Sequence, residues 1–260
     1  VTPVWVGGQV TSRATCVLAP NPSAMTLEGT NTWVLMEPGS SQCVVVDPGP
    51  LDERHLRRVL ETVAERGARV ALTLLTHHHR DHAESAARFG ELSGAPVRAL
   101  GQDSEGLAGG DRLNVDGLDL LVVATPGHTS DSLSFLLAAE DALLTGDTIL
   151  GHGTAMVAWP DGELAAYLQS LERIEAMTAS QEVTQILPGH GPAVADAAGI
   201  VRHYLDHRIE RLEEVRAVAA ASGADPDRIV ETVYADVRRD LWPAARLSVQ
   251  AQLDYLRTHP

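Results

Sequence analysis

Short apolar runs alternate with Gly-, Pro- and Asp-containing turns to about residue 195, and helical spacing then takes over to the end. Residues 1–20 alternate weakly and predict a first strand, closed by the turn signal Asn21-Pro22-Ser23. Residues 31–36 and 43–46 read as a strand pair ending at Asp47-Pro48-Gly49-Pro50, a stop signal. Leu56, Val59, Leu60 and Val63 fall at helical spacing and predict a helix over 51–66, with Gly67 as its C-cap. The run Val70-Ala71-Leu72-Thr73-Leu74-Leu75 reads as a buried strand. A helix over 81–92, a strand over 97–100 and a loop over 101–110 follow. Residues 113–115 and 118–124 predict a hairpin turning at Asp116-Gly117, and 133–138 and 142–145 two more strands. A helix over 164–177 and a strand over 184–187 complete this part. Helices are predicted over 199–221, 227–237 and 242–257, the first two parted by Ser222-Gly223-Ala224-Asp225-Pro226. Strands mixed with helices imply an α/β fold whose sheet core is covered on both faces. The change of pattern divides the chain into a body, 1–195, and a helical appendage, 196–260.

Composition narrows the chemistry. With 44% hydrophobic and 21% charged residues the balance is that of a globular protein. No apolar run approaches the ~18 residues a membrane span needs. The first residues lack the basic start and apolar stretch of a secretory signal, and the two cysteines, Cys16 and Cys43, are too few for a disulfide framework, so a cytoplasmic setting is expected. The net charge of −15 repels polyanions at long range. All 20 basic residues are Arg, which excludes Schiff-base lysine chemistry and a phosphate loop ending in Lys.

The chemistry gathers where the apolar run ends. Thr76-His77-His78-His79-Arg80-Asp81-His82 reads H-x-H-x-D-H, a dense set of metal-ligand side chains at a strand-to-loop junction. Three later turns repeat the arrangement of a strand end, a Gly and a ligand-type residue: Thr125-Pro126-Gly127-His128, Thr145-Gly146-Asp147 and Pro188-Gly189-His190. Each Gly permits a sharp turn that aims the next side chain back over the sheet edge. One such histidine is more often a surface residue; together with the cluster they form a joint signal.

This order of ligands resembles the metallo-β-lactamase superfamily. Asn21-Pro22 through Met25-Thr26-Leu27, Gly29-Thr30-Asn31-Thr32, Gly146-Asp147 to Leu150-Gly151 with Gly153-Thr154, Pro188-Gly189-His190-Gly191-Pro192, and His207-Arg208 with Arg211 are similar to its beta-lactamase-like protein 2 branch. The resemblance implies an αββα four-layer sandwich with a winged-helix-like C-terminal appendage. It also implies a binuclear site: His77, His79 and His128 on one metal, Asp81, His82 and His190 on the other, and Asp147 bridging both. Two zinc ions are expected, with manganese or iron as the other candidates. A paired-metal site can share a hydroxide whose pKa falls towards about 7, a nucleophile that needs no Ser or Cys. Asp81 could also orient that hydroxide, a general-base-like role.

The substrate is less legible, because the ligand motifs are common to all the superfamily's activities. A small ester or thioester is expected ahead of single-stranded RNA, since RNA sites combine basic grooves with aromatic platforms and only 4% of residues are aromatic. β-Lactamase-type amide hydrolysis ranks third. A mononuclear iron dioxygenase is a further alternative, opposed by the complete second set of ligands, and a nucleic-acid-binding tail beside a structural metal core is the non-enzymatic one. His78 should point away from the metals, Arg80 should make a structural ion pair, and His55 should be solvated. His152 stands between a cleft role and none, and Asn31 lines the cleft by resemblance alone. Tyr204, His207, Arg208 and Arg211 share a helix face, either to pin the helix to the body or to form a substrate-gripping wall.

Overall fold

The computed structural model describes residues 4–101 and 106–259. Strands β1 (Gly8–Gln9), β2 (Ala14–Leu18), β3 (Asn31–Leu35), β4 (Gln42–Val46), β5 (Arg69–Leu74) and β6 (Val97–Arg98) form one sheet in sequence order. Strands β7 (Arg112–Val115), β8 (Leu118–Ala124), β9 (Leu133–Leu137), β10 (Ala142–Gly146) and β11 (Gln185–Pro188) form a second sheet, ordered β11-β10-β9-β8-β7. The helices are α1 (Glu53–Glu65), α2 (Arg80–Ala83), α3 (Ala86–Ser93), α4 (Leu164–Ala179), α5 (Ala197–Ser222), α6 (Pro226–Val233) and α7 (Trp242–Thr258).

Side-chain alternation along the strands builds the layers. Trp33, Leu35, Val44 and Val46 face inward and meet Leu120, Val122, Phe135 and Leu144 of the second sheet. Val34, Cys43 and Val45 face outward and are covered by Leu56, Val59 and Val63 of α1 and Phe89 of α3. On the far side Leu136, Leu143 and Ile186 meet Tyr167, Leu171 and Ile174 of α4 and Val201 and Tyr204 of α5. Two sheets between two helical layers make the αββα sandwich. Its central strands are apolar on both faces because both are covered, which is why they read as continuous runs. A separate core joins Val215 of α5 to Ile229, Val230 and Val233 of α6 and Ala245 and Val249 of α7.

Departures from the pattern have local causes. The strand expected over 1–20 is a pair, β1 and β2, and residues 1–3 lie outside the described residues. The expected loop over 101–110 falls partly outside them, at 102–105. The helix expected over 81–92 is broken between α2 and α3, where the buried Ser85 spends both its N–H and its hydroxyl on Gly49 O. The helix expected over 227–237 stops at Val233, and a short 3₁₀ turn at Arg239–Leu241 leads into α7.

Strand direction decides where the ends fall. β4 and β5 run parallel, so both end at the same edge. β8 and β10 each pair antiparallel with β9, and β11 runs parallel to β10, so β8, β10 and β11 all point the same way. Leu133 N–H donates to Thr76 O and Asn31 N–H to Gly189 O, which ties the two sheets together at that edge.

Candidate metal centre

At this edge the four ligand-bearing turns meet. Three groups of side chains offer donor atoms within 4.8 Å of one another: His77, His79 and His128; His77, His82 and Asp147; and Asp81, His82 and His190. All seven side chains expected to hold metal are therefore in one cluster. Asp147 reaches both ends of it, with Oδ2 at 3.7 Å from His128 Nε2 and 3.3 Å from His190 Nε2, and Oδ1 at 3.4 Å from His82 Nε2.

The outer nitrogen of each anchored ring is held by the protein, which fixes the inner one. His128 Nδ1–H donates to Met156 O at 2.6 Å, His190 Nδ1–H to Gly29 O at 3.1 Å and His82 Nδ1–H to Asp47 Oδ2 at 2.9 Å. Thr76 donates its hydroxyl to Asp47 Oδ2 and receives His77 Nδ1–H at 3.0 Å. Inner nitrogens then face one another: His79 Nδ1 and His128 Nε2 at 3.1 Å, and His82 Nε2 and His190 Nε2 at 3.2 Å. His77 Nε2 and Asp147 Oδ1 are buried with no hydrogen-bond partner. A buried polar atom left unpaired costs about 1–3 kcal/mol. Inner nitrogens and carboxylate oxygens converging on one space, two of them buried without a partner, fit a divalent cation, and imidazole with carboxylate suits zinc and its neighbours.

The electrostatics divide the cluster. Burial pushes His79 down to about 4 and His77 and His128 below the usual imidazole range, so these three are neutral ligands at pH 7. Burial acts the same way on His190 and His82, but the Asp147 carboxylate outweighs it, raising His190 to about 9 and His82 well above its usual value, with Asp47 adding to the latter. Burial would raise the Asp81 and Asp147 carboxyls, yet the facing histidines hold both below the usual carboxylate range. The Asp81 end of the cluster thus attracts positive charge.

Close packing makes the turns specific. A Cβ at Gly189 would lie 2.5 Å from Asp147 Oδ1 and 2.8 Å from His82 Cε1. At Gly127, with φ of +132°, it would collide with the Tyr167 backbone.

Asp47 was expected to do no more than end a strand. It is 2% exposed, adopts a left-handed φ of +53°, and accepts from Thr76 N, Thr76 Oγ1 and His82 Nδ1. Nothing in the sequence sets it apart from an ordinary stop before Pro-Gly.

The other sequence candidates fall in different places. A cavity of about 340 Å³ opens beside His128 and Asp147, and His152, His207 and Arg208 line it. Its walls are mostly apolar, from Met25, Leu27, Leu150 and Met156 of the body and Val237, Leu241 and Ala245 of the C-terminal helices. Asn31, expected to line the cleft, is instead fully buried; its side-chain amide donates to Pro188 O and Gly191 O and staples the turn carrying His190. Tyr204 is also fully buried, and its hydroxyl accepts from Leu150 N. His55, expected in solvent, is 3% exposed and bonded to Thr32 Oγ1 at 2.8 Å, on the buried face of α1. His78 points away from the cluster to Asp131, and Arg80 pairs with Glu84, both as expected.

Comparison with known proteins agrees with this geometry. The sequence profile of the Metallo-beta-lactamase superfamily matches residues 25–107 and 103–190, and that of the Beta-lactamase associated winged helix domain matches 226–258. That last stretch holds α6, the 3₁₀ turn at Arg239–Leu241 and α7. The Beta-lactamase-like protein 2 homolog of Drosophila melanogaster is 31% identical over 271 residues, 95% of this chain and 89% of that protein. The Atrochrysone carboxyl ACP thioesterase of Aspergillus fumigatus is 31% identical over 248 residues, 88% of this chain and 76% of that protein. A metallo-beta-lactamase family protein from Thermus thermophilus superposes with a TM-score of 0.80 at 22% identity, covering 96% of this chain and 94% of that one. By sequence match, layered fold and clustered His/Asp donors alike, the chain belongs to the metallo-beta-lactamase superfamily.

Proposed function

We propose that this chain is a two-metal hydrolase, zinc being the first candidate, that cleaves a small ester or thioester. The observation that carries the reading is the convergence of five imidazoles and two carboxylates beside an apolar cleft. His77, His79 and His128 would hold one ion, Asp81, His82 and His190 the other, and Asp147, in reach of both groups, would bridge them. Bound metal supplies a water acidified towards about pH 7 and a polarised carbonyl.

The protein's own groups do the rest. Asp81, deprotonated and 28% exposed, would accept a hydrogen bond from the attacking water and orient it, a general-base-like role. Asp47, Met156 O and Gly29 O hold three of the imidazoles in one tautomer, so nothing need reorganise during the reaction. The apolar walls receive the acyl group and exclude water from it. On this reading residues 1–195 form the catalytic body and 196–260 close the cleft. The Aspergillus relative's thioesterase name supports a thioester. The acidic surface and apolar cleft give single-stranded RNA no groove to follow. Two buried free thiols, Cys16 and Cys43, suit the reducing cytoplasm.

Metal analysis combined with a panel of thioesters, esters, lactones, nitrocefin and single-stranded RNA tests this. The expected result is about two divalent ions per chain, with turnover of thioesters or esters above the rest. His79→Ala and Asp147→Asn should abolish turnover in a folded protein. A single iron per chain, or full activity in either variant, would overturn the reading.

A further inference from the structure

Arg208 is a buried cation without a counterion among the described residues. It is 9% exposed, on α5, in a chain with 35 acidic and 20 basic residues. Other arginines find carboxylates: Arg13 pairs with Glu37, Arg88 with Glu53 and Arg246 with Asp227. Among the described residues no carboxylate pairs with Arg208. Its Nη2 donates to Ala155 O, its guanidinium lies 5.0 Å from the centroid of the Tyr167 ring, and its Nε has no partner. Burying a charge without pairing it costs several kcal/mol. A fold with an excess of acids that leaves such a charge unpaired gains nothing in stability from doing so.

The position of the charge suggests its use. Arg208 lines the same cavity as His128 and Asp147, and its neighbour His207 lines it too. Asp147, held in the metal cluster, is the one carboxylate residue on that wall among the described residues. Leu27, Leu150, Met156 and Leu241 supply the apolar surface of the same space. The cavity therefore has a reacting pole, a basic pole and an apolar wall. The guanidinium is also held in place, by its bond to Ala155 O and by the Tyr167 ring beneath it.

The geometry points to Arg208, with His207 beside it, as the anchor for a carboxylate at the far end of the acyl group, so that the substrate is a thioester or ester of a dicarboxylic acid. Arginine matches a carboxylate with two parallel donors, which adds orientation to charge. The acyl end is favoured over the leaving group because Arg208 is buried within the cavity, whereas the leaving group must depart through its mouth. This inference rests on the proposed hydrolase for the reaction but not for the binding.

Binding and turnover are therefore measured separately on the metal-loaded protein. Calorimetry compares succinate, glutarate, adipate and suberate with monocarboxylates of the same length, and with 4′-phosphopantetheine. At least one dicarboxylate should bind about tenfold more tightly than its monocarboxylate, a difference of about 1.4 kcal/mol. Arg208→Gln should remove that preference, and on the matching carboxyacyl thioester it should raise KM about tenfold with a smaller change in kcat. The comparison in the unsubstituted protein stands even where the variant does not fold. Equal binding of mono- and dicarboxylates would overturn the proposal. So would phosphopantetheine binding that depends on Arg208 while dicarboxylate binding does not, because the anchor would then serve the leaving group. Preferential dicarboxylate binding with turnover of neither thioesters nor esters would leave the anchor in place and reject the hydrolase reading.

Discussion

Among single residues, Asp47 and His55 matter most for what the sequence did not disclose. The seven donor residues announce themselves because His and Asp side chains carry their chemistry wherever a turn presents them. Asp47 does not, since an Asp before Pro-Gly after a strand is an ordinary stop. Its role exists only because β4 ends beside β5 and brings its carboxylate under His82 and Thr76. Asp47→Asn keeps the shape and tolerates the left-handed backbone, but removes the charge that orients His82. Metal affinity should fall about 10- to 100-fold, and titration against a competing chelator reads it. His55 looked solvated because charged residues surround it in sequence, yet the apolar face of α1 carries it inward. Burial holds its imidazole down at about 4, against about 6.5 when unfolded. The unfolded chain binds the extra proton between those values, so the contribution is whole above pH 6.5 and is lost as pH falls towards 4. The full loss is about 3 kcal/mol. Other buried histidines add to it, so the test compares the protein with His55→Gln in urea unfolding at pH 7 and pH 5. The variant should lose less stability over that interval; parallel losses would refute the assignment.

Among the elements, the strands were legible and the long helix was only half legible. Strands β3, β4, β9 and β10 are covered on both faces, so burial left its mark as the apolar runs Trp33 to Leu35, Cys43 to Val46, Phe135 to Leu137 and Ala142 to Leu144. The break between α2 and α3 left no such mark, because it depends on Ser85 meeting Gly49 from another part of the chain. The spacing of residues 204, 207, 208 and 211 established a shared face of α5 but not what it faces. In the structure that face divides: Tyr204 pins the helix to the loop after Asp147, while His207 and Arg208 border the cleft. Arg211 lies 4.7 Å from the centroid of the Tyr234 ring and ties α5 to α6. A helix expected either to brace the body or to wall the site does both. Tyr204→Phe tests the bracing role, since it strands Leu150 N–H while leaving His207 and Arg208 unchanged. Stability should fall by about 1–3 kcal/mol, measured by denaturant unfolding. KM for a substrate of the panel should stay unchanged, and a KM rise without loss of stability would show that Tyr204 acts in the cleft instead.

At the scale of the whole molecule, the metal cluster gathers buried titratable groups, so folding, protons and metal are linked through it. Asp147 raises His190 to about 9 and, with Asp47, raises His82 as well. A histidine whose folded pKa is raised contributes stability that is complete below about 6.5 and is lost as pH climbs through its folded value. His77, His79 and His128 are shifted the other way, and their contribution is lost as pH falls below about 6.5. After chelation the protein should therefore be most stable near pH 6.5, with losses on both sides. Metal reverses the alkaline side. It competes with protons for His82 and His190, so its affinity rises with pH up to about 9. Metal at a hundred times its dissociation constant adds about 2.7 kcal/mol to stability. Melting curves of the loaded and chelated protein should therefore diverge steadily from pH 6 to pH 9. A constant gap over that range would mean that His82 and His190 release no protons on loading, and the Asp81-His82-His190 group would lose its place as a metal site.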